Sequence, residues 1–134
     1  MPRGDGRSLV LWSWIVLALL AAHDVTHVLD DGLETPLARF PLVAVPQWIA
    51  LGIVMVVVVR GDRAQSQLAA LLLGIGVTVG VVVVHLLPIT SAALWGVRPS
   101  VVSWVLVWAS VAAGLLLAVL ARPPMPAVRR AQAG

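Results

Sequence analysis

The chain of 134 residues contains no cysteine and no tyrosine, and only 11% of its residues are charged. Without cysteine it cannot form disulfides, a thiolate nucleophile, or the thiolate ligation of zinc fingers and iron–sulfur clusters. Lysine and asparagine are also absent, and all nine basic residues are arginine, a bias typical of a GC-rich genome. The scarcity of charge excludes an ordinary soluble domain, in which about 25% of residues are charged.

Most of the side chains are apolar. Hydrophobic residues make up 60% of the chain, and the mean hydropathy is +1.02. A chain of this size cannot bury so much apolar surface in a core of its own, so its solvent must be the lipid bilayer. We therefore expect a multi-pass protein of the bacterial inner membrane.

Four apolar stretches are each close to the roughly 20 residues that cross a bilayer as a helix. Two of them contain valine runs, which favour strands in water. In lipid, however, the backbone must satisfy its own hydrogen bonds, and this requirement favours helix. The sequence predicts an all-α membrane protein, a four-transmembrane-helix bundle in one domain over residues 1–122, followed by a basic, Pro-rich cytoplasmic tail over residues 123–134. The predicted spans cover residues 8–29, 40–59, 67–87 and 101–121.

The arginines indicate how the chain is oriented. Seven of them lie near the two termini or in the connection between the second and third spans, whereas only Arg39 and Arg98 lie in the other two connections. By the positive-inside rule, both termini lie in the cytoplasm. The arginines form no basic stripe interleaved with aromatics, so we expect no nucleic-acid partner.

Residues 21–32, "AAHDVTHVLDDG", place an unusual group of polar residues at the outer end of the first span. His23 and His27 are four residues apart and so share one helix face, and Asp31 continues that face. The third histidine, His85, lies near the outer end of the third span. At 1.5 Å per residue, His27 and His85 lie roughly 13 Å from the membrane centre and His23 roughly 7 Å. His23 and Asp24 are therefore too deep to be ordinary surface residues, which suggests a function.

Imidazole and carboxylate groups at this spacing are the ligands that Zn, Cu and Fe prefer. One hypothesis is a metal site of His23, His27 and His85, with Asp24 or Asp31 as a further ligand or as a group that orients an imidazole. A second is haem, with His27 and His85 as axial ligands. A third is proton transfer between histidine and aspartate.

Other interpretations remain open. Asp31 can be an ordinary solvated charge at the water interface. The chain could be a metal-handling or electron-transfer protein, a non-catalytic accessory subunit of a larger membrane complex, or a small membrane enzyme or proton-coupled transporter. Whether it is an enzyme is undecided. Gln47, near the start of the second span, could reach the histidine cluster.

Small residues give the third and fourth spans faces on which backbones can approach closely, and through which the chain could also form a homo-oligomer. The hydroxyl groups within the spans are expected to hydrogen-bond to their own helix backbone; they belong to Ser13, Thr78, Ser103 and Ser110. The small residues in question are Gly74, Gly76, Gly80, Ser110 and Gly114.

Overall fold

A computed structural model describes residues 5–31, 36–86 and 100–123 of the chain, and within the helices it describes the backbone alone for residues 27, 28, 30, 31, 36–44 and 86. No strand occurs in these three ranges, so the prediction of an all-α chain with four helices is confirmed for them. The helices are α1, Gly6–Asp31; α2, Pro36–Arg60; α3, Arg63–Leu86; and α4, Val101–Leu120.

Polar caps set where α1 and α3 begin. The Ser8 N–H donates to Asp5 Oδ1 at 2.8 Å. At the start of α3, the Gln65 N–H donates to Asp62 Oδ1 at 2.9 Å and the Asp62 N–H donates to Gln65 Oε1 at 3.1 Å, which is a capping box. Both helices thus include a polar first turn that precedes the predicted spans, since those were drawn from apolar residues alone.

Within the described ranges, three segments are long and apolar enough to cross a membrane: Gly6–Thr26, Arg63–His85 and Val101–Leu120. By this measure the chain is a small polytopic membrane protein. The apolar part of α2 with described side chains, Val45–Arg60, is shorter. The crossing of the membrane by α2 therefore remains a prediction.

All four helices contribute to the core, α2 through Met55 and Val58. The largest helix interface joins α3 to α4, and the next joins α1 to α4. Val16, Ala70 and Leu117 are fully buried, whereas outward-facing side chains such as Ile53 and Val105 are 62% and 61% exposed. Many large apolar side chains are exposed in this way, which is costly in water and ordinary in lipid.

Two glycines allow α3 and α4 to touch. A Cβ atom added to Gly74 would lie 2.5 Å from the carbonyl oxygen of Gly114, and one added to Gly114 would lie 2.5 Å from Thr78 Oγ1. The Thr78 hydroxyl itself donates to the Gly74 carbonyl at 2.8 Å, as the sequence predicts. By contrast, a Cβ on Gly76 or Gly80 would meet nothing within 4 Å. Of the three glycines predicted to form a small-residue face on α3, only Gly74 lies in close contact with the α4 backbone.

Candidate functional site

The structure brings two of the three histidines into direct contact. His23, near the carboxyl end of α1, is 2% exposed, and His85, near the carboxyl end of α3, is 9% exposed. Their Nε2 atoms are 2.9 Å apart, and the two rings lie edge to face, with centroids 4.7 Å apart and planes at 65°. The sequence predicted that both histidines lie on the same side of the membrane. The contact shows that they also face each other.

A backbone carbonyl sets which nitrogen of His85 carries the proton. His85 Nδ1 lies 2.9 Å from the Val81 carbonyl oxygen. Since a carbonyl oxygen only accepts, Nδ1 of His85 is protonated and donates to it. In the neutral pair, Nε2 of His85 is then the acceptor, and the Nε2–H of His23 donates to it. The hydrogen bonds run from α1 to α3 and end on the α3 backbone.

A tryptophan from α2 contacts the residue that follows His23. The Trp48 Nε1–H donates to Asp24 Oδ2 at 2.9 Å, and both side chains are half-buried. A carboxylate removed from water needs such a donor. The sequence suggested that Gln47 could reach the histidine cluster; in the structure the α2 residue that hydrogen-bonds to Asp24 is the adjacent Trp48.

The hydroxyl group near the histidine pair has a hydrogen-bond partner, whereas two hydroxyl groups deeper in the core have none among the described residues. The Thr26 hydroxyl donates to the His23 carbonyl at 2.7 Å, which is a bond to its own helix. The hydroxyl oxygens of Ser13 and Ser110 are buried and have no hydrogen-bond partner within the described part of the chain. The expectation that these two serines bond to their own helix backbone is therefore wrong, because neither hydroxyl reaches a carbonyl of the preceding turn.

The predicted ligand set is only partly within the described residues. His23 and His85 converge, and Asp24 lies beside His23 but is engaged by Trp48. The side chains of His27 and Asp31 lie outside the described residues. Across the described ranges, no three or more histidine or acidic side chains come together as metal ligands would. The site that the structure describes is thus a pair of histidines.

Comparisons with known proteins give no family. No protein-family model matches the chain, and no curated protein and no solved structure is similar to it. The function must therefore be inferred from the geometry of the histidine pair.

Proposed function

We propose that the His23–His85 pair binds a divalent transition metal ion, zinc, copper or iron, for metal handling or electron transfer. The contact between the two Nε2 atoms at 2.9 Å carries this proposal. A tetrahedral ion with metal–nitrogen bonds of about 2.0–2.1 Å would hold the two nitrogens roughly 3.4 Å apart. The rings need to separate by only about 0.5 Å for an ion to replace the hydrogen bond.

The hydrogen bond from His85 Nδ1 to the Val81 carbonyl supports the proposal. Histidine ligands of metals commonly donate their other ring N–H to a carbonyl or carboxylate, which fixes the tautomer and the ring orientation. His85 thus already presents the lone pair of Nε2 to His23. To become the second ligand, His23 needs only to carry its proton on Nδ1 instead of Nε2, so binding requires no change in net charge.

Two imidazoles do not complete a metal site, because zinc usually takes at least three protein ligands. We propose His27 and Asp31 as the further ligands, since both continue the face of α1 that carries His23. Asp24 has a different role in this proposal. Its carboxylate is held by Trp48, so it supplies negative charge beside the cation without binding it.

The contact favours a bare ion over haem at the His23–His85 pair. Axial imidazoles of haem lie on opposite faces of a porphyrin, so two metal–ligand bonds separate their nitrogens. The Nε2 atoms of His23 and His85 are in direct contact, which leaves no room for a macrocycle between them. The alternative in which His27 and His85 hold haem depends on a side chain outside the described residues.

The site is proposed to face away from the cytoplasm. Four of the five arginines in the described ranges lie at the end opposite the histidine pair: Arg7 lies in the first turn of α1, Arg60 and Arg63 flank the connection from α2 to α3, and Arg122 follows α4, whereas Arg39 lies near the start of α2. The histidine pair lies at the other ends of α1 and α3. The positive-inside rule then predicts cytoplasmic termini and an outward-facing pair.

Metal titration of the purified full chain in detergent tests the proposal. After treatment with a chelator, the wild-type protein is expected to bind Zn²⁺ in calorimetry and to give a tetrahedral Co²⁺ absorption spectrum. His23→Gln and His85→Gln should each weaken binding by more than about 100-fold, the upper range for loss of a group that only orients a ligand. Thr26→Val is the matched control, because its hydroxyl bonds only to the helix backbone.

Three results would contradict the metal site: no binding by the wild type, a Co²⁺ spectrum without tetrahedral bands, or unchanged affinity in both histidine variants. If His27→Gln and Asp31→Asn bind as tightly as the wild type, the pair acts without them, and that part of the proposal fails alone.

The same hydrogen bond favours a second candidate function, proton transfer between α1 and α3. A pair that binds no metal but passes protons should give liposomes a proton flux, measured with an enclosed pH-sensitive dye, that His85→Gln abolishes. A protein with neither activity would fit the role of an accessory subunit.

A further inference from the structure

An open groove lies at the opposite end of the bundle from the histidine pair. It has a volume of about 1020 Å³ and runs between the first two turns of α1 and the connection from α2 to α3. Leu9 and Val58, each 2% exposed, form its floor. Since these elements begin or end at this level, the groove opens where the helices meet the membrane interface.

The walls of the groove are apolar. Leu11 and Trp14 on α1 and Val59 on α2 line it and are 58%, 56% and 52% exposed. Trp14 lies two helical turns beyond Arg7, roughly 10 Å further into the membrane. The groove therefore extends from the interface into the hydrocarbon, along the direction that an acyl chain takes.

The rim of the groove is cationic. Arg7 and Arg63 line it together with one carboxylate, Asp5. Asp5 is occupied as the cap of α1: the hydrogen bonds from Ser8 hold the pKa of its carboxyl group below the ordinary value, and nearby Arg7 lowers it further. Arg7 interacts electrostatically with Asp5, but within the described part of the chain neither guanidinium group donates a hydrogen bond. Two guanidinium groups are thus available to an anion.

We propose that this groove binds one anionic phospholipid of the surrounding leaflet. Its phosphate lies between Arg7 and Arg63, and one acyl chain lies along Leu11 and Trp14. Guanidinium groups bind phosphate oxygens in a bidentate manner, which lysine and neutral side chains do not. A cationic rim directly above an apolar wall matches an amphiphile with a negative head, whereas a neighbouring apolar helix would supply no anion to the two guanidinium groups.

Native mass spectrometry of the full chain tests this inference. Dioleoylphosphatidylglycerol is expected to bind more tightly than dioleoylphosphatidylcholine, which has the same acyl chains and a zwitterionic head. Arg7→Gln with Arg63→Gln should reduce phosphatidylglycerol binding by about 25-fold, at about fivefold for each cation near an anionic lipid surface. Arg122→Gln is the matched control, because Arg122 follows α4 at the same end of the bundle and does not line the groove.

Two further measurements identify the occupant. Glycerophosphoglycerol, the headgroup without acyl chains, should bind far more weakly than the lipid, because it leaves the apolar wall empty. Arg7→Lys with Arg63→Lys should bind at an intermediate level, since charge is kept and bidentate geometry is lost.

Equal binding of the two lipids by the wild type would overturn the proposal. So would a loss in Arg122→Gln as large as that in the double glutamine variant, or a headgroup that binds as tightly as the lipid. The comparison of two lipids on the wild-type protein decides the matter even if the double glutamine variant does not fold.

Discussion

At the scale of single residues, His23 and His85 are each the other's hydrogen-bond partner inside the helix bundle. Both are buried, and the bond between their Nε2 atoms satisfies polar groups that lipid and apolar side chains cannot. Removing one ring leaves a buried donor or acceptor without its partner. Removing both leaves an apolar contact. The two substitutions should therefore not be additive.

A double-mutant cycle measures this coupling. His23→Leu and His85→Leu should each lower the free energy of unfolding by about 1–3 kcal/mol, because each leaves one buried polar group unsatisfied. The double variant should lose less than the sum. The measurement is unfolding by dodecyl sulfate in mixed micelles, followed by circular dichroism with a chelator present.

The control for the cycle combines His23→Leu with Ser13→Ala. Ser13 lies on the same helix, roughly 15 Å from His23, and its hydroxyl has no partner among the described residues. These two changes should add within about 0.5 kcal/mol, as distant sites do. Strict additivity in the histidine pair as well would show that the rings do not interact.

The sequence predicted that His23 and His85 lie on one side of the membrane, but it placed His85 level with His27, roughly 6 Å beyond His23, and offered a shared site only as a hypothesis. Helical rise gives the depth of a residue directly, so His23 and His85 could be placed on one side of the membrane. Whether they meet depends on how α1 and α3 rotate about their own axes, and that rotation follows from packing in the whole bundle. The Trp48–Asp24 bond was missed for the same reason, since a tryptophan near a helix end is equally typical of an aromatic belt.

At the scale of helices, the close crossing of α3 and α4 requires glycine, which has no side chain, at the point where the two backbones meet. Gly74 and Gly114 lie where each backbone meets the other, and any Cβ there meets main-chain or Thr78 atoms. Small residues at helix crossings bring backbones close enough for dispersion contacts, which drive association in lipid. The sequence identified the faces with small residues. It could not distinguish Gly74 from Gly76. These two residues lie on nearly opposite sides of α3, and the sequence alone does not show which side faces α4.

Alanine substitution separates the two kinds of glycine. Gly74→Ala should lower the free energy of unfolding by about 1–3 kcal/mol, the usual cost of overpacking. Gly76→Ala and Gly80→Ala, which meet open space, should be neutral or slightly stabilising, since glycine within a helix is about 0.5–1 kcal/mol less favourable than alanine. The measurement is the same unfolding titration. Equal destabilisation by all three substitutions would contradict the crossing.

At the scale of the whole molecule, the two ends of the helix bundle differ in their chemistry. The histidine pair and Asp24 lie at one end, and the arginine-rimmed groove lies at the other. The distribution of arginines predicts that both termini lie on the cytoplasmic side. This prediction requires an even number of membrane crossings. That number depends on α2, which the apolar length of its described side chains does not establish.

Because the chain has no cysteine, a single introduced cysteine is the only site for a membrane-impermeant maleimide. Arg39→Cys and Arg60→Cys test α2, since roughly 30 Å of helix separates them, enough to cross the hydrocarbon. Val101→Cys and Arg122→Cys flank α4 as the matched pair. In intact cells, Arg39→Cys and Val101→Cys should be labelled, whereas Arg60→Cys and Arg122→Cys should be labelled only after permeabilisation. Labelling of Arg39→Cys and Arg60→Cys from the same side would show that α2 does not cross. Reversal of both pairs would put the histidine pair in contact with the cytoplasm and the groove on the outer leaflet.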